Sequence, residues 1–83
     1  MELSNEDIVS SLGDRMKEIR LSKGMTQTDV ADRCNMDKTS YQRVEKARTS
    51  PTLNTVILIA RALEVNLLDL FDFLKAEEQN NSK

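Results

Sequence analysis

Eighty-three residues with a formal charge of -2, a pI near 5.1, 39% apolar and 31% charged side chains fit one small domain, and a chain this short buries only about 60% of its unfolded surface. No tryptophan and only three aromatics argue against a large apolar ligand pocket; no histidine means no His base and no Cys/His metal set, and Cys34 alone cannot form an internal disulfide. The longest apolar run, 56–60, is far short of the ~20 residues of a membrane span, and Glu2, Glu6 and Asp7 stand where a basic leader would, so a cytoplasmic chain without membrane association is expected.

In chain order, one device recurs: a capping residue, an acid or hydroxyl three positions later, and an apolar pair bracketing the cap. Ser4 with Asp7 and the Leu3/Ile8 pair opens the first helix, and Ile8, Leu12, Met16 and Ile19 repeat at helical spacing until Gly24 closes it. Thr26 with Asp29, bracketed by Met25 and Val30, opens the second, whose apolar face is Val30, Ala31 and Cys34. Asp37 opens the third, with Ser40 as a weaker partner and Met36 facing Tyr41. Thr52 opens the fourth along Leu53, Val56, Ile57, Ile59, Ala60 and Leu63, behind Pro51, whose ring blocks helical continuation of what precedes it. Asn66 with Asp69, bracketed by Val65 and Leu70, opens the fifth along Leu67, Leu70, Phe71 and Leu74. No segment alternates like a strand. The expectation is a compact all-α, five-helix domain over 1–76, with a helix-turn-helix at about 26–46, a fifth helix at about 66–76 and a flexible polar tail at 77–83.

Only Asn35 and Met36 separate the second and third helical patterns, so the chain must turn sharply there, with Asn35 left-handed. Counted from Gln27 as position one, apolar residues fall at four (Val30), eight (Cys34), ten (Met36), fifteen (Tyr41) and eighteen (Val44), and the small Ala31 sits at five, where two helices must approach closely. A generic helical corner needs no such combination; a helix-turn-helix does.

On RLSKGMTQ, the Val44-Glu45 pair and SPTLNTVILIARALEV, the chain resembles the Cro-like, XRE family of helix-turn-helix repressors, which includes phage repressors and restriction-modification controller proteins. The resemblance runs from about Leu12 to Phe71 and implies a lambda-repressor-like fold and DNA binding. Three positions depart from the family pattern. Asn35 and Ala47 stand where glycine is usual, and Ala47 would carry a steric cost at positive φ, so that helix end is expected to extend or to take another shape. Tyr41 replaces an aliphatic residue; it is expected as a half-buried staple, its hydroxyl within reach of a phosphate, in preference to a base reader.

With Tyr41 and Val44 inward, the opposite face of the third helix presents Lys38, Thr39, Gln42, Arg43 and Lys46. Arg or Lys suits guanine O6 and N7, Gln suits adenine, and a threonine methyl suits thymine. The resemblance therefore assigns base contacts to Lys38, Thr39, Gln42 and Arg43. Phosphate contacts are expected from helix starts and their flanks: Thr26, Gln27, Ser40, Lys46, Arg48, Thr49 and Asn54. Lone surface cations such as Lys23 and Arg33 are expected to be solvated charges. Arg20 and Glu45 match a structural ion pair of the family and are expected to fix the third helix against the first.

Charge distribution fits this reading better than total charge does. Residues 10–63 carry +4, while 1–9 and 64–83 each carry -3, and screening confines each patch to roughly 8 Å. One reading helix covers few base pairs, so a homodimer on a palindromic operator is expected, with half-sites about 34 Å apart. Leu67, Leu70 and Leu74 are expected in the core and Leu68, Phe71 and Phe73 at the dimer interface, with a packing contact at Ile8 and Val9 as the rival use of that surplus. No cofactor and no metal are implied, and scattered Asp and Glu give no catalytic constellation. The alternative function is a protein-interaction module, such as the antitoxin of a toxin pair.

Overall fold

The computed structural model describes residues 3–75. Five helices follow one another: α1 (Asn5–Ser22), α2 (Gln27–Arg33), α3 (Lys38–Glu45), α4 (Leu53–Ala62) and α5 (Leu67–Leu70), and no strand occurs among the described residues. The fold is all-α.

The helix starts are those the capping pattern marks. Ser4 Oγ accepts the Asp7 N–H at 3.1 Å while the Asp7 carboxylate accepts the Ser4 N–H at 3.3 Å. Thr26 and Asp29 exchange the same pair of bonds at 3.0 and 2.8 Å. Asp37 accepts both the backbone N–H and the hydroxyl of Ser40, at 3.2 and 2.7 Å. Thr52 accepts from Thr55, and Asp69 accepts from the Asn66 N–H. Each such cap is worth about 1 kcal/mol to its helix.

Four of the helix ends also share one geometry. Gly24, Asn35, Ala47 and Glu64 take φ of 69°, 58°, 59° and 60°. In each case the next residue's N–H reaches back to close the helix: Met25 to the Arg20 carbonyl, Met36 to Ala31, Arg48 to Arg43 and Val65 to Ala60, at 2.8–3.0 Å. The left-handed Asn35 is as expected. Ala47 corrects the expectation for its helix end: α3 neither extends nor changes shape, and the alanine takes the strained conformation because the bond to Arg43 and the packing beyond it fix the turn.

The fifth helix departs from its expected span of 66–76. It stops after Leu70; Phe71 leaves helical geometry at φ -106° and ψ 20°, and helical backbone resumes only at 73–75. Residues two apart on a continuous helix point to nearly opposite sides. The break lets both Phe71 and Phe73 pack against the core. Residue 76 of that span and the tail at 77–83 lie outside the described residues.

The core joins all five helices: Leu12, Met16 and Ile19 from α1, Val30 and Ala31 from α2, Tyr41 and Val44 from α3, Val56, Ile59 and Ala60 from α4, and Leu70 from α5. Burial of each larger side chain contributes about 1.5–3 kcal/mol. Ala31, the small residue at position five, is buried, 1% exposed. Tyr41 corrects the sequence reading: it is 0% exposed, not half-buried, and its enclosed hydroxyl cannot reach a phosphate.

Gly13 makes the packing of α3 on α1 possible. A Cβ on Gly13 would lie 2.4 Å from the Glu45 carbonyl oxygen, so only glycine lets the end of α3 lie against α1. The arginines lock the periphery. Arg15 Nε donates to the Asp69 carbonyl at 2.9 Å, tying α1 to α5. Arg33, expected as a solvated charge, donates to the Ala62 carbonyl at 3.1 Å and so caps the C-terminal end of α4.

Candidate nucleic-acid interface

The α2–α3 corner is held from beneath by one ion pair. Arg20 Nε and Nη2 donate to the two oxygens of Glu45 at 2.9 and 2.8 Å, and Arg20 Nη1 donates to the Met25 carbonyl at 2.9 Å. Both side chains are buried, at 8% and 3% exposure. Burial opposes ionisation of Glu45, but the hydrogen bonds and charge of Arg20 outweigh it and hold the carboxyl below its ordinary range. Arg20 is raised by the same bonds. The structural role expected of this pair matches its geometry.

Above the pair, α3 turns an exposed face outward. Lys38, Thr39, Arg43 and Lys46 are exposed, Gln42 and Ser40 half-buried. Among the described residues, none of the cations Lys38, Arg43, Lys46 and Arg48 has a carboxylate partner within ion-pair distance. Thr39, Gln42, Arg43, Lys46 and Arg48 line one shallow depression. A second groove runs beside it between α1 and the end of α3, lined by Asp14, Lys17, Arg20, Gln27, Glu45, Lys46 and Arg48. Lys46 and Arg48 border both, so candidate base readers and candidate phosphate holders share a continuous cationic edge.

Of the other expected site residues, Lys38, Ser40, Thr26, Thr49 and Asn54 stand apart from these two depressions, whereas Gln27 lines the second. Lys38 and Ser40 sit at the start of α3, and the Ser40 hydroxyl is engaged with Asp37. Thr26 uses both its hydroxyl and its N–H in the α2 cap. Thr49 lies with Arg48 in a third depression against Asn5, Glu6 and Val9 of α1. Asn54 is exposed in the first turn of α4. Gln27 is half-buried: its Nε2 donates to Glu45 at 3.3 Å and its Oε1 accepts from Gln42 Nε2 at 2.9 Å.

Two residues that matter here were missed by the sequence reading. Gly13 gives α3 room, and Lys17 brings a cation from α1 into the second groove. A usable signal existed, since Gly13, Lys17 and Arg20 lie at i, i+4 and i+7 and so share one helix face.

The carboxylates that cap α2 and α3, Asp29 and Asp37, are held below their ordinary range by the hydrogen bonds from Thr26 and Ser40. Burial pushes the Cys34 thiol up. No cluster of side chains suited to a metal ion occurs among the described residues, and no described helix is long and apolar enough to cross a membrane.

Comparison with known proteins agrees with this geometry. The control protein C.BamHI of Bacillus amyloliquefaciens is 34% identical over 62 residues, 74% of this chain and 76% of that protein. The immunity repressor of Bacillus phage phi105 is 30% identical over 57 residues, 69% of this chain but only 40% of the repressor's length. The wild-type restriction-modification controller protein C.Esp1396I superimposes with a TM-score of 0.77 at 33% identity, covering 95% of this chain and all of that one. In its nucleoprotein complex the same controller matches with a TM-score of 0.75 at 36% identity, over 84% of this chain and 91% of that one. Residues 16–70 match the helix-turn-helix family HTH_3, and the chain belongs to that family of DNA-binding transcriptional regulators.

Proposed function

We propose that this chain is a homodimeric, sequence-specific regulator that places α3 in the major groove of double-stranded DNA. The observation that carries the proposal is the exposed face of α3: Lys38, Thr39 and Arg43, with Gln42 at its edge, are raised on a buried ion pair and flanked by Lys46 and Arg48. A helix of this size fits the groove, and these side chains include the hydrogen-bonding types that distinguish base pairs there. Lys38, Thr39, Gln42 and Arg43 contact bases. Lys46, Arg48, Thr49 and Asn54 hold phosphates, with Thr26 and Ser40 contributing at helix starts. The nucleoprotein complex of the related controller C.Esp1396I supports DNA as the partner. The protein needs no cofactor, catalyses no reaction and works in the cytoplasm, where it meets its operator.

Two copies associate through the end of the chain that holds α5. Leu68 is 75% exposed beside Phe71 and Phe73, whose ring centroids lie 6.1 Å apart. A palindromic operator follows from two-fold symmetry. The same exposed leucine also suits a reading as a protein-interaction module, which a stoichiometric partner released by Leu68→Ser would favour.

Selection of bound sequences from random DNA, followed by titration at several salt concentrations, tests the proposal. A palindromic consensus is expected, with affinity falling as salt rises. Arg43→Ala should cost about 1–3 kcal/mol and relax preference at one base position. Affinity indifferent to salt, or equal for every sequence, would reject the reading.

A further inference from the structure

Glu45 acts only as an acceptor, since both its oxygens take N–H groups of Arg20. A glutamine carboxamide has one donor end and one acceptor end. Only the donor end of Gln27 can face that carboxylate, and it does so at 3.3 Å. Gln27 Oε1 is thereby turned toward Gln42, which answers with its own Nε2 at 2.9 Å. A choice of direction made in the core thus passes through two carboxamides to the surface of α3.

We infer that the Arg20–Glu45 pair acts through Gln27 to fix which way round Gln42 faces, so that Gln27 is a positioning residue for base specificity. This rests on the DNA reading above and differs from the expectation that Gln27 is a phosphate contact. With one N–H of its amide given to Gln27, Gln42 has its carbonyl oxygen fixed on the outward side, with the second N–H beside it. In the major groove an acceptor meets the N6 amino group of adenine or the N4 amino group of cytosine and is opposed by O6 and N7 of guanine. If Gln27 could not accept, the Gln42 carboxamide would turn over freely and that discrimination would be lost. Gln27→Met keeps length and bulk but removes both hydrogen-bonding ends.

The test compares base preferences from random DNA for the full chain, Gln27→Met, Gln42→Ala and the double variant. Gln27→Met should lower the preference for adenine or cytosine over guanine about tenfold at a single base pair of each half-site, the effect of one hydrogen bond. In the double variant that position should look the same as in Gln42→Ala alone, because Gln27 acts through Gln42. A uniform loss over all sequences, or a Gln27 effect that persists without Gln42, would overturn the inference while leaving the DNA reading intact. An unmodified chain without sequence preference would overturn both. A second measurement does not depend on how the variant folds: in the free protein the Gln42 side-chain amide protons should exchange more slowly with solvent than those of exposed Asn54. Equal rates would overturn the inference.

Discussion

The α2–α3 corner and the end of the chain around α5 were both marked by the same kind of signal, a cap with an acid or hydroxyl three residues later, yet they turned out differently. At the corner, both caps, the left-handed Asn35 and the inward Val30, Ala31 and Val44 fall where local patterning puts them. At the other end Asp69 accepts the Asn66 N–H as the pattern implies, but the helix stops after Leu70. The difference lies in contrast between faces. Around α3, apolar and polar residues alternate at helical period, so one backbone conformation buries the first and exposes the second. From Leu67 to Leu74 apolar residues occupy every face, and no single helix can bury them all. The chain breaks at Phe71 and leaves Leu68 outside.

The largest effect should come from removing the support beneath the corner. Arg20→Ala would leave Glu45 buried without its partner and should cost about 3–5 kcal/mol in chemical denaturation, with loss of DNA binding. If stability barely changed, the pair would not be what holds α3. The same pair predicts a pH dependence. The folded carboxyl of Glu45 lies below its ordinary value of 4.5. Its contribution is therefore fully present above that value and is lost as pH falls through the lowered folded pKa, where the unfolded chain is protonated first. Glu45→Gln should flatten stability against pH in that acid window; an unchanged slope would assign the dependence to other carboxylates.

Next in size is Gly13→Ala. The added methyl would meet the Glu45 carbonyl and force α3 away from α1, a cost of about 1–3 kcal/mol despite alanine's better helix propensity. A higher melting temperature would mean that the two helices separate without strain.

The α5 end should respond in association, not in folding. Leu68→Ser removes an exposed apolar side chain and should weaken the proposed dimer at least tenfold in sedimentation equilibrium, with little change in monomer stability. Val9→Ser provides the contrast. If Val9→Ser weakened the dimer and Leu68→Ser did not, the first turns of α1 would be the interface.

The smallest effect is a gain. Ala47→Gly relieves a left-handed alanine at φ 59° and should stabilise by up to about 1 kcal/mol, the steric relief being partly offset by glycine's entropy in the unfolded chain. Urea denaturation would show a higher midpoint at unchanged slope, and a lower midpoint would mean that the Cβ makes a contact worth more than the strain.

By itself the sequence determined the helix starts, the sharp turn at Asn35, the inward place of Ala31 and the exposed strip of α3, because each is set by a cap, a backbone preference or a periodicity within a few residues of itself. Only the tertiary structure decided what those elements meet. The 2.4 Å that reserves position 13 for glycine joins residues 32 apart in the chain, and no pattern near Gly13 announces Glu45. Tyr41 is fully buried in a helix that packs against both α1 and α2. Gln27 and Gln42, each plausible alone as a DNA contact, became a linked pair because the buried carboxylate of Glu45 faces one of them. Periodicity says which side of a helix turns inward; the direction of a hydrogen bond depends on the neighbour, and neighbours are brought together only by folding.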